Sequence, residues 1–151
     1  MRVKALTVWQ PWASLIAHGV KEYETRAWQT KYRGPLAIHA SVRWGRDQQE
    51  VVGWRPYPDL LAALGLSVAD LPKGFVVGVV DLVDVIPTQD VAPLLSESER
   101  RVGDYRPGRF AWRLENARLL PEPVYAKGAQ SLWWWNVPRG LEKKLGLEVA
   151  A

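Results

Sequence analysis

The run from Phe75 to Ile86 constrains the fold more than any other stretch of the chain. Val76, Val77, Val79, Val80, Leu82, Val83, Val85 and Ile86 follow one another with almost no polar break. β-branched side chains are stiff at χ1 and suit a pleated surface, so the run reads as a strand. An unbroken apolar strand, unlike an alternating one, is covered on both faces. The rest of the chain must supply those two covers. With 151 residues, 48% of them hydrophobic, it is long enough to do so as one domain. Gly78, inside the run, marks a bulge or a close approach by another element.

The remaining strands alternate. Lys4 to Trp9 and Lys21 to Ala27 have this pattern. In Pro35 to Ser41, Leu36, Ile38 and Ala40 face one way and Ala37, His39 and Ser41 the other. In Arg109 to Glu115, Phe110, Trp112 and Leu114 point inward. Arg118 to Tyr125 is extended, and Pro121 and Pro123 place it at an edge. Between these lie short helices. Pro11 to His18 opens on a proline, where no backbone N–H is needed, and stops at Gly19. Asp47 to Trp54, Asp59 to Gly65 and Gly140 to Gly146 read as further helices, and Gln130 to Asn136 begins with a helical turn. The expected class is α+β, mainly β: a small mixed sheet closed into a barrel, with short flanking helices. Residues 1–151 read as a single domain, with 42–73 as a variable insertion.

Several chemistries are excluded. The chain has no cysteine, so disulfides, thiolate zinc sites and cysteine nucleophiles drop out. His18 and His39 have neither metal-ligand spacing nor an acidic cluster beside them, and no metal or other cofactor is expected. Phosphate-loop, dinucleotide and Gly-x-Ser-x-Gly patterns are absent. No apolar run is long enough to cross a membrane. With no signal-peptide core at the N-terminus, a cytoplasmic location is the expectation. The net charge of +4 permits a polyanionic partner without requiring one.

What remains is Gly19-Val20-Lys21-Glu22-Tyr23-Glu24-Thr25-Arg26. Lys21, Glu24 and Arg26 read either as a surface ion-pair cluster or as a ligand site. In a regular strand Glu24 and Arg26 share a face and Lys21 does not. The three meet only if the chain turns or bulges near Val20-Lys21, which Gly19 permits. Lys and Arg suit a phosphate, and Glu can accept from a base amino group. The neighbouring helix offers Gln10, an amide, and Trp12, a flat ring, a mixture that fits the polar edge and π-face of a base. Nine tryptophans strengthen the theme, although burial as packing is the alternative use, favoured for Trp112.

Gly19-x-Lys21-x-x-Glu24-x-Arg26 resembles the signature of the activating signal cointegrator homology (ASCH) family. Gln10-Pro11-Trp12-Ala13-Ser14-Leu15, Arg33-Gly34-Pro35-Leu36-Ala37-Ile38, Gly78-Val79-Val80-Asp81-Leu82 and Lys127-Gly128-x-x-x-Leu132-Trp133 resemble its other characteristic blocks, in order. The resemblance spans roughly residues 5–41 and 74–137. It implies a PUA-like β-barrel with a cleft that binds RNA or, in some members, DNA. Lys21, Glu24 and Arg26 would face the cleft, with Gln10 and Trp12 on its helical wall and His39, Ser41 and Lys127 at the rim. Some members resemble N4-acetylcytidine amidohydrolases or ribonucleases, and in that alternative Lys21 and Glu24 would be catalytic. The amidohydrolase branch places a threonine nucleophile where Glu24 stands, a departure that favours binding over catalysis. A protein partner on exposed tryptophans is the third reading.

Overall fold

The computed structural model describes residues 1–147. Its six strands are β1 (Arg2–Val8), β2 (Tyr23–Arg26), β3 (Gly34–Ala40), β4 (Phe75–Pro87), β5 (Phe110–Tyr125) and β6 (Trp133–Asn136). Its short helices are α1 (Trp12–Ala17), α2 (Arg46–Val51), α3 (Tyr57–Ala63), α4 (Thr88–Val91), α5 (Glu97–Arg101) and α6 (Leu141–Lys144). The strands form one mixed sheet in the order β2-β5-β4-β3-β1-β6, with β1 and β3 parallel and every other pair antiparallel.

The apolar run is β4, and it lies inside the sheet between β3 and β5. Over residues 76–82 both its faces are covered, as an unbroken apolar strand requires, whereas Val83 beyond them is exposed. On one face Val77, Val80 and Leu82 pack with Leu6, Val8, Leu36, Ile38 and Trp112 around α1, which contributes Ala13, Ile16 and Ala17. On the other, Val76 and Val79 pack with Ala5, Ala37, Leu120 and Trp135 beneath Leu145 and Leu147. The alternation in β3 is as expected, with Leu36 and Ile38 in the first cluster and Ala37 in the second. Each fully buried Leu or Ile contributes about 1.5–3 kcal/mol relative to exposure.

The expected closed barrel does not form. β2 and β6 are edges, and among the described residues no backbone ladder joins them. Both edge strands are four residues long and each pairs with a single neighbour. The sheet curls instead, and a side chain spans the gap. The β1–β6 ladder ends at Ala5 paired with Trp133, which leaves the outer edge of β1 open further on. There the Thr7 carbonyl accepts a hydrogen bond from Arg26 Nη2 at 2.7 Å. One arginine of β2 thus ties the two margins of the sheet at one end.

Two further expectations change. Phe110–Tyr125 forms one strand rather than two, with the left-handed Asn116 (φ 53°) absorbing a register shift against β4. Trp133–Asn136 is a strand and not a helical turn, because β1 offers it an open edge. Residues 42–73 hold α2 and α3. They pack onto the outer side of α1 through Tyr57, Leu61 and Leu71 around Leu15. Among the described residues, no helix is long and apolar enough to cross a membrane, and no cluster of metal-ligating side chains occurs.

Candidate functional site

A cleft of about 540 Å³ opens where β1 runs into α1 and β2 lies opposite. Trp9 and Trp12 come from the β1–α1 corner, and Lys21, Glu24 and Arg26 from the approach to β2 and from β2 itself. The segment after α5 supplies Asp104 and Arg109, α5 ends in Arg101, and α3 contributes Tyr57.

The parity conflict at Lys21 is resolved as the sequence required. Gly19 adopts φ +76°, and the Val20 and Lys21 amides both bond to the Leu15 carbonyl, so the chain turns before β2 begins at Tyr23. Lys21 is then free of strand alternation. Its side chain is 2% exposed. The ammonium donates to the Tyr23 carbonyl and lies 3.9 Å from Glu99 Oε2. Burial pushes the Lys21 pKa below its ordinary value of 10.5, against the pull of Glu24 and Glu99. Glu99 shifts in the mirror sense. Burial raises it, although Lys21, the Glu22 amide and the Tyr105 hydroxyl all favour its charged form. Glu99 Oε1 accepts from the Glu22 N–H at 2.6 Å. Lys21 and Glu99 together therefore fasten the 97–105 segment to the start of β2.

Glu24 and Arg26 form a tighter pair. Arg26 donates through Nε at 3.1 Å and lies 3.0 Å away through Nη2, both to Glu24 Oε2. Arg26 Nη1 has no hydrogen-bond partner among the described residues. Arg109 is drawn in by register. Arg26 pairs with Phe110 across the β2–β5 ladder, so Arg109 lies just past the end of β2, and its guanidinium reaches back to bond the Thr25 carbonyl at 3.1 Å. Arg109 Nε also lies 3.4 Å from Asp104. Trp12 donates its indole N–H to the Tyr57 hydroxyl at 2.9 Å, with the two rings edge to face. Trp9 is 46% exposed, and Arg43 stands 5.0 Å over its ring. The cleft is thus lined by the cations Lys21, Arg26, Arg101 and Arg109, the carboxylates Glu24 and Asp104, and the flat rings of Trp9, Trp12 and Tyr57.

Four of the residues singled out from sequence, Trp12, Lys21, Glu24 and Arg26, line this cleft, and four do not. Gln10 is buried with its amide fully engaged. Its Oε1 accepts from the Ser14 N–H, and its Nε2 donates to Ser14 Oγ and the Pro72 carbonyl. It seats α1 and ties it to residue 72. His39 points to the opposite face of the sheet. The Trp133 indole donates to Thr7 Oγ1, Thr7 pairs with His39 Nδ1, and His39 Nε2–H donates to the Ala126 carbonyl at 2.7 Å. Burial lowers the His39 pKa, in keeping with a neutral ring in this relay. Lys127 lies outside the cleft, on the turn that His39 anchors. Ser41 accepts from the Arg43 amide in the turn after β3.

The sequence reading missed Trp9, Tyr57, Glu99, Arg101, Asp104 and Arg109. Ser96-x-x-Glu99 carries a helix-start signal, and the Glu99 N–H does bond Ser96 Oγ. The glutamate side chain, however, turns to Glu22 instead of closing the box. No local pattern announces that.

The family model described as the ASCH domain matches residues 6–144. Activating signal cointegrator 1 of Homo sapiens is 39% identical over 129 residues, covering 85% of this chain and 21% of that protein. Its Mus musculus counterpart is 38% identical over the same length and shares. The chain therefore spans about a fifth of the length of the curated relatives it matches. The crystal structure of ASCH from Zymomonas mobilis superimposes with a TM-score of 0.52 at 18% identity, covering 95% of this chain and 92% of that one. A point mutant of the same Zymomonas mobilis protein gives an equal TM-score at 17% identity, covering 95% of each chain. At such identities the likeness speaks for the fold alone. Together with a family match across nearly the whole described sheet, these comparisons show that the chain belongs to the ASCH domain family.

Proposed function

We propose that this chain is a nucleic-acid-binding domain whose cleft takes a nucleotide of single-stranded RNA. The observation that carries the reading is the arrangement of Arg26, Arg101 and Arg109 with Trp9 and Trp12 around one cleft of about 540 Å³. A phosphate needs cationic donors, and a base needs a flat partner and a polar edge. Arg26 offers its free Nη1 to a phosphate. Glu24 has Oε2 committed to Arg26, and its other oxygen is available to a base amino group. Lys21 is a positioning residue in this scheme. Its ammonium is spent on Tyr23 and Glu99, and it holds the walls rather than the ligand.

Arg26→Ala is the variant that tests the scheme. Loss of a charge-assisted hydrogen bond is worth about 1.5–3 kcal/mol, so affinity for single-stranded RNA should fall roughly tenfold to a hundredfold. Affinity unchanged by the substitution, measured by fluorescence anisotropy, would remove the model. Lys21→Ala is a poorer probe, since leaving Glu99 buried without its partner costs about 3–5 kcal/mol of fold stability.

The buried Lys21–Glu99 pair favours a second reading, because catalytic sites collect ionisable groups perturbed in this way. A hydrolase of acetylated cytidine would release acetate steadily from N4-acetylcytidine, and a ribonuclease would shorten RNA. Neither reading survives if substrate stays intact with folded wild-type protein.

A further inference from the structure

The cleft does not end at Arg26. A second cavity of about 360 Å³ lies on its far side and shares Thr7, Trp9 and Arg26 with the first. The rest of its wall comes mainly from Trp28 and from residues 129–131, just before β6. Resting on the RNA reading above, we infer that the two cavities form one track for two consecutive nucleotides of a single strand, with the linking phosphodiester on Arg26.

Four observations support the track. Each cavity falls within the roughly 300–1,000 Å³ typical of small-ligand sites, so each can admit one nucleotide unit. Arg26 lies on the shared wall, and it is the one charged residue that lines the second cavity among the described residues. Its Nε and Nη2 are fixed by Glu24 and Thr7, so Nη1 is presented in a held position between the two spaces. The second space has its own means of holding a base. Trp28 is immobilised edge-on against Trp112, with centroids 4.8 Å apart, and Trp112 Nε1–H donates to the Trp28 carbonyl. Trp9 is common to both spaces. Gln130 brings an amide with donors and an acceptor. Ser131 sits beside it at φ 58°, a left-handed conformation that few non-glycine residues adopt and that clusters at functional sites. Arg26 is thus the charged group at the junction, and flat rings lie on both sides of it. Linked bases splayed from a single strand have that distribution.

The experiment compares ribonucleotides of one and two residues, as mixtures of all four bases, in competition with a labelled random ribo-octamer, read by anisotropy. Wild-type protein should bind the dinucleotide roughly tenfold more tightly than the mononucleotide, the scale of one added stacking contact. Gln130→Glu introduces a negative charge into the second cavity without touching the core, and it should reduce that ratio several-fold. Equal affinities for the two probes in wild-type protein would overturn the track, as would a ratio that Gln130→Glu leaves unmoved. Mononucleotide binding that depends on Arg26 but gains nothing from a second residue would sink the track alone. If neither probe displaces the octamer, both the track and the RNA reading fall.

Discussion

At position 21 a lysine ammonium is held out of water between two carboxylates, and the consequences are local and measurable. Glu99 has its pKa raised above the ordinary 4.5, with burial outweighing the pull of Lys21. The folded protein therefore binds more protons than the unfolded chain between 4.5 and the raised value. The stability this supplies is fully present below that window and is lost as pH rises through it. A Glu99→Gln variant keeps the acceptor for the Glu22 N–H but cannot ionise. As pH rises above the ordinary value of 4.5 through the range in which Glu99 loses its proton, wild-type Tm should fall relative to that of the variant. A difference that stays flat across the range would show that Glu99 titrates as an ordinary carboxyl. The residue types at 21, 24 and 26 were readable as a cluster, and so was the need for a turn at Gly19. The partner at 99 was not, because an ion pair between residues this far apart in sequence leaves no trace in either local pattern.

Among the elements, α1 and β4 depend on each other. A Cβ at Gly78 would lie 2.8 Å from Ala17 Cβ and 3.0 Å from the Arg118 carbonyl. The missing side chain lets the helix rest directly on the strand, and the ladder with β5 shifts register at the same place. Gly78→Ala should cost about 1–3 kcal/mol in urea denaturation, the usual range for overpacking a filled core. Since α1 carries Trp12, the same substitution should also weaken RNA binding. A fully stable Gly78→Ala protein would show that α1 has room to move. Both readings of Gly78, bulge and close approach, were available from sequence because a glycine inside an apolar strand is unfavourable without a reason. The strand at Trp133–Asn136 was not available. Three tryptophans in a row have no period that separates strand from helix, and only the open edge of β1 decides the matter.

Over the whole molecule, the curl of the sheet creates the cleft. Arg26 joins β2 to β1 where no ladder does, and the 97–109 segment folds across the same opening. Three arginines, Arg26, Arg101 and Arg109, then face one space. If all three meet phosphates, the logarithm of the RNA association constant should fall against the logarithm of salt concentration with a slope of about −2, at roughly −0.7 per contact for single strands. A slope near zero would show that the arginines serve the fold and not a polyanion.

By itself the sequence determined the composition of the sheet. The apolar run had to be an interior strand, the alternating segments further strands of the sheet, Trp112 a core residue, and Gly19 a turn. Each follows from short-range sterics and from the period of side chains along a strand, which neighbouring residues carry among themselves. Tertiary structure decided the order of the strands, the open rather than closed sheet, and the membership of the cleft. Strand pairing brought Arg109 to Thr25, packing of 42–73 brought Tyr57 to Trp12, and a buried ion pair brought Glu99 to Lys21. The same sheet sent His39 to the opposite face. Those choices rest on hydrogen-bond register and burial between segments far apart in the chain. Such terms are settled only when the whole sheet forms, because a local pattern carries no record of the partner it will meet.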